Sequence, residues 1–315
     1  MIQSHQVIVA VATYKRTDLL TELLDSLATA STISPFSVVV VDNDPEGGAR
    51  ITCQRGDLVV SYLHEPTPGI AAARNCALGF LNEDHEAIAF VDDDETVDPL
   101  WMKNLLHTLN TLHADVVSGP VISVFPAGTA RWIIDGGFHQ RIRFQTNTTI
   151  TSAATNNTIL RTSFLKRLNN PRFDETFSMT GGSDTEFFSR VQGAGGFMAW
   201  CDEALVWERV PAERLTLKWI WRRGVRIGNV TGRLKLRRHS KLGLLGGAVV
   251  RIAYGSARAS ISTIKGKGLQ AIDLDYIVRG VGWVGAITNN LVQEYERTPQ
   301  VKRRESRLLK SKLHQ

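Results

Sequence analysis

Three consecutive aspartates, Asp92, Asp93 and Asp94, stand directly after the apolar run at residues 87–91. A short apolar run followed by polar turn residues is typical of a buried strand in a parallel sheet. Three carboxylates at the end of one strand repel one another and lose hydration unless a cation joins them. Because ligands bind at the carboxyl ends of strands in open α/β sheets, we expect a divalent metal here that holds a phosphate-containing substrate.

The alternative for this acidic segment is a loop that caps the next helix. Asp98 before Pro99 has the arrangement of an N-cap residue and a first helical residue. If Asp98 caps the helix, no structural role remains that would explain Asp92 and Asp94. We therefore favour the metal site.

Apolar runs rich in β-branched residues predict further strands. They cover residues 7–12, 37–41 and 59–63, with shorter runs at 121–125 and 158–160. Leucines at helical spacing follow the first run, and Pro68-Gly69 opens another helix after the third. This alternation predicts a mostly parallel sheet flanked by helices, with right-handed crossovers. Ser183 and Glu186 have capping-box spacing, which predicts a helix from Asp184.

Charge is distributed very unevenly along the 315 residues. Residues 1–213 contain 15 Lys and Arg against 26 Asp and Glu, whereas residues 214–315 contain 22 against 5. Such a division indicates a basic, partner-facing segment beside an independent binding or catalytic unit. The three cysteines lack CxxC spacing, which favours a reduced cytoplasmic setting, and we expect no signal peptide at the N-terminus.

Five motifs stand in a fixed order along the chain. They are Thr13-Tyr14-Lys15-Arg16, Val41-Asp42-Asn43-Asp44, the segment from Gly69 to Asn75, Phe90-Val91-Asp92-Asp93-Asp94-Glu95 and Gly181-Gly182-Ser183-Asp184-Thr185-Glu186-Phe187-Phe188. The ordered set resembles the inverting glycosyltransferases of family 2, which have the Rossmann-like fold called GT-A. The likeness is greatest to bacterial enzymes that build exopolysaccharide repeat units on a lipid carrier.

The resemblance implies binding roles for particular residues of the first three motifs. A nucleoside-diphosphate sugar would lie across the strand ends, with Thr13, Tyr14 and Arg16 near the base. Asp42 would accept a hydrogen bond from the uracil N3–H, and Arg74 would face the diphosphate or base. The alternatives are an ordinary strand-end turn residue for Asp42 and a surface ion pair for Arg74.

The acidic motif would hold the ribose and the metal. The resemblance places Asp92 at the ribose and Asp94 at Mg²⁺ or Mn²⁺, with Asp93 in support. The cation would bridge both phosphates and take up charge on the leaving diphosphate. Asp92 is a second candidate ligand. Glu208 is a third, at a position near which many relatives carry a histidine.

The resemblance assigns the catalytic base to Asp184, which would take the proton from the attacking sugar hydroxyl. A helix N-terminus favours the ionised carboxylate. In the family a glutamate usually precedes this aspartate, but here Ser183 does, and Glu186 and Asp174 are the alternative bases.

The acceptor pocket would be shaped by residues from two segments. They are Trp132, Asp135, Gly181 and Gly182. Aromatic rings stack on sugar faces, although a core position for the tryptophan is an equal alternative.

The basic C-terminal part interleaves aromatic and basic residues at positions 218–226, and Lys302, Arg303, Arg304, Arg307, Lys310 and Lys312 follow in its tail. This pattern fits nucleic-acid binding or a helix lying on an anionic membrane. Residues 242–254 and 276–292 are apolar but interrupted by Arg251 and Arg279, so we expect no spanning helix.

We therefore expect a GT-A catalytic domain at residues 1–230, with a nucleotide-sugar half to residue 120 and an acceptor half after it. Residues 231–315 would form a basic, amphipathic helical region that associates with the inner face of the cell membrane. The expected activity is metal-dependent, inverting transfer of a hexose, glucose by default, from a UDP-sugar to a lipid-linked oligosaccharide. The alternatives are a nucleotidyltransferase acting on sugar phosphates, and a nucleic-acid-binding protein using the basic part. The acidic charge of the first part argues against nucleic acid.

Overall fold

The structure is a computed structural model that describes residues 1–178, 180–237 and 239–292. Within these residues the main sheet has seven strands in the order β3-β2-β1-β4-β8-β6-β9. The bounds are β1 Val7–Thr13, β2 Ser37–Asp42, β3 Val60–His64, β4 Ala87–Asp92, β6 Val116–Ser118, β8 Asn157–Arg161 and β9 Met198–Trp200. All neighbouring strands are parallel except β8, which runs antiparallel to both β4 and β6. The predicted mostly parallel α/β sheet is confirmed.

A second, three-stranded sheet lies beside the acidic loop, in the order β5-β10-β7. Its strands are β5 Glu95–Val97, β7 Val121–Val124 and β10 Val206–Arg209. Strand β10 pairs antiparallel with β5 and parallel with β7. The pairing ties the residues after the aspartate motif to a segment more than 100 residues further along the chain.

Helices cover both faces of the main sheet. They are α1 Thr17–Ile33, α2 Ile70–Gly79, α3 Trp101–Thr111, α5 Thr162–Leu165 and α6 Ser183–Gly193. The short helix α4, Arg131–Asp135, belongs instead to a separate apolar cluster through Ile133. The strand residues alternate between two cores. Val9 and Val91 pack with the leucines of α1 and with α3, while Ile8 and Phe90 pack with α2 and α6. The central strands are apolar on both faces because both faces are covered.

Three long helices follow among the described residues of the C-terminal part. They are α7 Leu217–Leu236, α8 Lys241–Ile264 and α9 Ala271–Ile287. Helix α9 lies between the other two, and its contact with α7 is very close. A side chain on Gly228 would meet backbone atoms of α9 at 2.7–2.8 Å, and one on Gly282 would meet the Val225 carbonyl at 2.3 Å.

The predicted domain boundary at residue 230 stays a prediction, and it falls inside helix α7. Helix α7 runs without a break from Leu217 to Leu236, and it packs along α9. The helical unit therefore begins with α7, because a cut at residue 230 would divide one helix and its packing. Among the described residues no helix has the length and apolarity needed to cross a bilayer. The predicted basic tail lies outside the described residues.

Candidate active site

The strand register brings the first, second and fourth motifs to one edge of the main sheet. Thr13 pairs with Asp42 across β1 and β2, and Ala12 pairs with Asp92 across β1 and β4. Because these strands are parallel, their carboxyl ends share one edge. The predicted grouping of Thr13, Asp42 and Asp92 is thus present in the structure.

Asp93 is held by the first motif. Thr13 Oγ1 donates to Asp93 Oδ2 at 2.8 Å, and Arg16 Nη1 donates to Asp93 Oδ1 at 3.0 Å. The same Arg16 nitrogen lies 3.1 Å from Asp94 Oδ2. Asp93 is buried, so its contacts anchor the acidic loop to β1. The supporting role that the resemblance implies for Asp93 at the metal stays a prediction.

Glu95 organises the acidic loop from beneath. Its side chain is buried, and its Oε2 accepts a hydrogen bond from the Asp92 backbone N–H at 2.9 Å. Burial, with the Asp92 charge beside it, raises the pKa of Glu95 well above its ordinary value. Sequence reasoning assigned Glu95 no role, although its place in the motif and the inward alternation of β5 were available as signals.

The shortest ion-pair contact of Asp92, 3.4 Å to Arg74, is longer than those of Asp93 and Asp94, which lie 3.0 and 3.1 Å from Arg16. Loss of hydration on burial raises the pKa of Asp92 to about 6. The charge of Arg74 opposes this rise in pKa, and the charges of Asp94 and Asp93 add to it. Its side chain nonetheless keeps 40% of its surface accessible to solvent, because it lines a cleft that is open to water but has protein on its sides. A cation in the cleft would favour its ionised form.

Arg74 joins the acidic loop to the N-terminus of α6. Its Nη2 lies 3.4 Å from Asp92 Oδ1, and its Nη1 lies 3.5 Å from Ser183 Oγ. The guanidinium is mostly buried between them. One side chain therefore spans from the aspartate motif to the residue that precedes the predicted base. The alternative of a surface ion pair for Arg74 is not what the structure shows.

Helix α6 starts differently from the prediction. Its N-cap is Gly182, in the left-handed region at φ 95°, and the helix begins at Ser183 without a side-chain cap. The capping box of Ser183 and Glu186 is absent because Ser183 faces Arg74 and Glu186 is paired elsewhere.

We expect Gly182→Ala to lower the free energy of unfolding by about 2–4 kcal/mol, through left-handed strain and overpacking. A Cβ there would lie 2.4 Å from Val230 Cγ1 on α7. The matched control is Gly79→Ala near the end of α2, where a Cβ meets nothing within 4 Å, and which should be neutral or mildly stabilising. Urea unfolding measures both. Equal stability of the two variants would contradict the packing of α6 against α7.

Of the three candidate bases, Asp184 is the one without an ion pair among the described residues. Its Oδ1 accepts from the Thr185 backbone N–H at 2.8 Å, and its side chain is partly exposed. Glu186 is 3% exposed and paired with Arg190 and Arg237 at 3.0 and 3.1 Å.

Asp174, the other alternative base, accepts hydrogen bonds from the Thr176 backbone N–H and hydroxyl and pairs with Arg237 at 3.3 Å. Burial acts to raise its pKa, but the contacts with Thr176 and Arg237 outweigh it and hold the pKa below its ordinary value. These contacts favour Asp184 as the base, and its catalytic role stays a prediction.

Asp42 is placed at the strand end but is enclosed. It is 1% exposed, and its two oxygens accept from the backbone N–H groups of Asp44 and Ala49 and from the Tyr62 hydroxyl. In this conformation Asp42 organises the loop after β2 and offers no surface to a nucleobase. Tyr14 is 39% exposed at the same edge. Contacts of either residue with a base stay predictions.

Glu208 is held by two arginines. Arg141 Nη2 and Arg214 Nη1 lie 2.5 and 2.7 Å from its carboxylate oxygens. Burial alone would raise the pKa of Glu208, but Arg141 and Arg214 bring it below its ordinary value. Arg214 also reaches Asp94 Oδ2 at 3.4 Å. Glu208 thus serves as a partner for arginines next to the acidic loop, and its proposed metal ligation competes with them.

The aromatic and basic stretch of α7 faces the catalytic part. The Trp219 ring stacks on His139 with centroids 5.3 Å apart, and Arg214 and Arg223 lie over the same ring at 5.7 and 5.3 Å. Burial and the Arg141 charge lower the pKa of Arg223 to about 10. For this stretch the sequence left nucleic-acid binding and a membrane surface open. In the structure Trp219 packs on His139 with Arg223 beside it, whereas Trp221 is 40% exposed. Sequence reasoning missed this because the helical direction of Trp219 was unknown.

His139 should make the protein acid-sensitive. Burial and the Arg223 charge lower its pKa to about 4, and its Nε2 donates to the Arg214 carbonyl at 3.2 Å. The unfolded chain takes up this proton near pH 6.5, the folded chain only near pH 4. The free energy of unfolding therefore falls as pH drops between these values, by about 2 kcal/mol after allowance for partial exposure.

The control for this acid sensitivity is His139→Gln, which keeps a side-chain donor but does not titrate. Urea unfolding between about pH 7 and pH 4 should show a smaller loss of stability for the variant than for the wild type. Identical pH profiles would contradict the assignment of this acid sensitivity to His139.

The residues at the sheet edge fit a divalent cation in part. Asp92 and Asp94 supply hard oxygen donors, and Mg²⁺ sites commonly use one or two carboxylates completed by substrate phosphates and water. Thr155 Oγ1, on the same cleft as Asp92 and Arg74, is buried without a hydrogen-bond partner among the described residues. The described chain contains no cluster of three or more His, Cys, Asp or Glu side chains suited to a metal, so a cation here would need ligands from the substrate.

The predicted acceptor residues lie on two separate segments. Trp132 and Asp135 are exposed on α4, with Trp132 edge-on to Phe138. Gly181 and Gly182 lie directly before α6. Trp132 is 43% exposed, which excludes a core position for its ring. A role of these residues in acceptor binding stays a prediction.

Comparison with known proteins yields a family and a set of similar structures. The model of the family described as Glycosyl transferase family 2 matches residues 8–168. The succinoglycan biosynthesis protein ExoM of Rhizobium meliloti (strain 1021) is 37% identical over 232 residues, which cover 72% of this chain and 74% of ExoM.

Two solved structures show the same fold at low sequence identity. The mannosyltransferase PcManGT of Pyrobaculum calidifontis, in complex with GDP-Man and Mn²⁺, superposes with a TM-score of 0.58 and 17% identity, over 90% of this chain and 86% of its own. S. aureus TarS 1–349, in complex with UDP-GlcNAc, gives 0.51 and 18%, over 90% and 92%. Of a longer TarS structure, this chain spans about half, 54%.

Proposed function

Because the chain belongs to glycosyl transferase family 2, we propose that it transfers a hexose, with glucose as the default, from a UDP-sugar to a lipid-linked oligosaccharide. The transfer would invert the anomeric carbon and serve bacterial exopolysaccharide synthesis. Support for the pathway comes from the relative ExoM, which is named as a succinoglycan biosynthesis protein. Support for a nucleotide-sugar donor comes from the complexes of PcManGT and TarS.

The observation that carries this proposal is the span of Arg74 between Asp92 and Ser183. Inverting transfer needs a base on the face of the sugar opposite the leaving group. In this chain the proposed base, Asp184, is one residue from Ser183, and the proposed diphosphate site is at the aspartate motif. A donor sugar lying across Arg74 would have its two reacting sides near these two groups.

The cation, Mg²⁺ or Mn²⁺, would be held by Asp94 and Asp92. When bound, it would act as a Lewis acid that stabilises the charge of the departing diphosphate. Asp93 and Glu95 would hold the loop in place through their contacts with Thr13, Arg16 and the Asp92 backbone. Arg74 is the further cation available to the phosphates.

The arginines of the C-terminal side support the same reading. Arg141, Arg214 and Arg223 lie around Glu208, and Arg214 also reaches Asp94 in the acidic loop. Guanidinium groups beside the acidic loop suit a diphosphate. We also propose that the chain works at the inner face of the cell membrane, where a lipid-linked acceptor is reached by peripheral attachment.

The proposed donor is tested by a screen of UDP-, GDP- and dTDP-sugars for hydrolysis in the presence of Mn²⁺. We expect release of UDP from a UDP-hexose above the rate without protein. Preference for a GDP- or dTDP-sugar would overturn the UDP assignment. Release of pyrophosphate from UTP and a sugar phosphate would favour the nucleotidyltransferase alternative instead.

A further inference from the structure

Helix α8 has an outward face that carries no charge along its whole length. The helix runs for 24 residues, about 36 Å. Its inward side packs on α9 through Leu244, Ala248 and Gly255. The large apolar residues on the other side are Leu242, Leu245, Val249, Val250, Ile261 and Ile264. Five of these six expose more than half of their surface.

The arginines inside α8 are turned away from this face. Arg251 lies over the rings of Tyr276 and Trp283 of α9, at 5.1 and 5.0 Å. Arg258 pairs with Asp273 of α9 at 2.8 Å. The sequence suggested that Arg251 interrupts an apolar segment. In the structure Arg251 does not interrupt the apolar surface on the outward face of α8, because its charge is held against α9.

An uncharged helix face of this length is larger than the apolar patches that soluble proteins usually expose to water. Positive charge adjoins both ends of α8: Lys241 begins the helix, and Lys265 and Lys267 directly follow it. Within 214–292, Lys and Arg number 15 and Asp and Glu number 2. An apolar stripe flanked by lysines on a strongly basic unit is complementary to one partner in particular, the headgroup region of an anionic bilayer.

We propose that the outward face of α8 is the membrane-docking surface of the chain. The helix lies flat, with Leu242, Val249 and Val250 among the acyl-chain boundary and the flanking lysines at the headgroup phosphates. Within residues 218–226, a candidate for this task from the sequence, Trp219 packs on His139 and Arg223 lies over its ring, and the longer uncharged face is that of α8. The proposal does not depend on which sugar is transferred.

The test is co-sedimentation of the full chain with vesicles, using two matched variants. Val250→Glu places a charge on the α8 face, and Val59→Glu places the same charge before β3 in the catalytic part. The two valines have nearly equal exposure, 67% and 69%, and both variants change the net charge equally. We expect wild type and Val59→Glu to bind vesicles of phosphatidylglycerol and phosphatidylcholine. Val250→Glu should bind about tenfold more weakly.

Three outcomes would overturn the proposal. One is equal vesicle binding by both variants, and a second is binding by none of the three proteins. The third is a dimeric wild type that Val250→Glu converts to a monomer without loss of vesicle binding, which would assign the face to a second copy. Release of UDP from the donor should be the same in all three proteins, so a failure of docking is distinguishable from a failure of the proposed activity.

Discussion

Asp184→Asn should lower kcat for sugar transfer by about 10²- to 10⁴-fold, the contribution typical of general-base catalysis. The amide keeps the shape of the side chain and can still accept from the Thr185 backbone N–H, but it cannot take the acceptor proton. UDP binding, measured by calorimetry, should stay as in the wild type because Asp184 is not a phosphate or metal ligand in this account. Folding should also be unchanged.

The matched control for the base is Glu186→Gln, two residues along the same helix turn. Glu186 is buried and paired with Arg190 and Arg237, so its replacement should lower the free energy of unfolding but leave kcat within about threefold. The reverse pattern, an active Asp184→Asn and an inactive but folded Glu186→Gln, would move the base to Glu186.

Asp94→Asn should reduce kcat/KM by about 10³-fold and raise the Mn²⁺ concentration needed for half-maximal rate. A neutral amide is a weaker ligand for a hard cation, and stabilisation of leaving-group charge accounts for several kcal/mol in metal-dependent transfer. The side chain is 13% exposed and contacts Arg16 and Arg214. Those arginines keep Asp93 and Glu208 as partners, so we expect the fold to persist.

Asp98→Asn is the control for this change, since it makes the same chemical change at the other end of the short strand β5. Asp98 Oδ1 accepts from the Leu100 backbone N–H at 2.8 Å, a role that an asparagine can fill. The variant should retain wild-type kcat and the same Mn²⁺ dependence. If Asp94→Asn shows a Mn²⁺ dependence identical to that of Asp98→Asn, Asp94 is not a metal ligand.

Much of the nucleotide-binding half could be predicted from sequence. The apolar runs before Thr13, Asp42 and Asp92 are strands, and their parallel order follows from the helices between them. Since parallel strands end at one edge, grouping of these three residues required only the strand assignments. The fold and the family, suggested by five ordered motifs, are confirmed.

The parts that were missed depend on side-chain direction and on distant partners. Whether Trp219 packs on His139 or faces a membrane depends on where α7 meets α9. This meeting point is set by Gly228 and Gly282, which are more than 50 positions apart in the sequence. Asp42 reads as a ligand-facing carboxylate, but it is enclosed by donors from its own loop and from Tyr62. The start of α6 was misplaced because Gly182 caps it through its backbone conformation, for which the capping-box pattern carries no signal.

The most direct measurement is calorimetry of UDP binding to the full chain, with and without Mn²⁺. The account predicts that UDP binds in the presence of Mn²⁺, that binding weakens strongly when the metal is chelated, and that Asp94→Asn shows the weakened binding even with Mn²⁺ present. Absence of UDP binding to the folded wild type with Mn²⁺ present would contradict the assignment of the sheet edge as the nucleotide-sugar site.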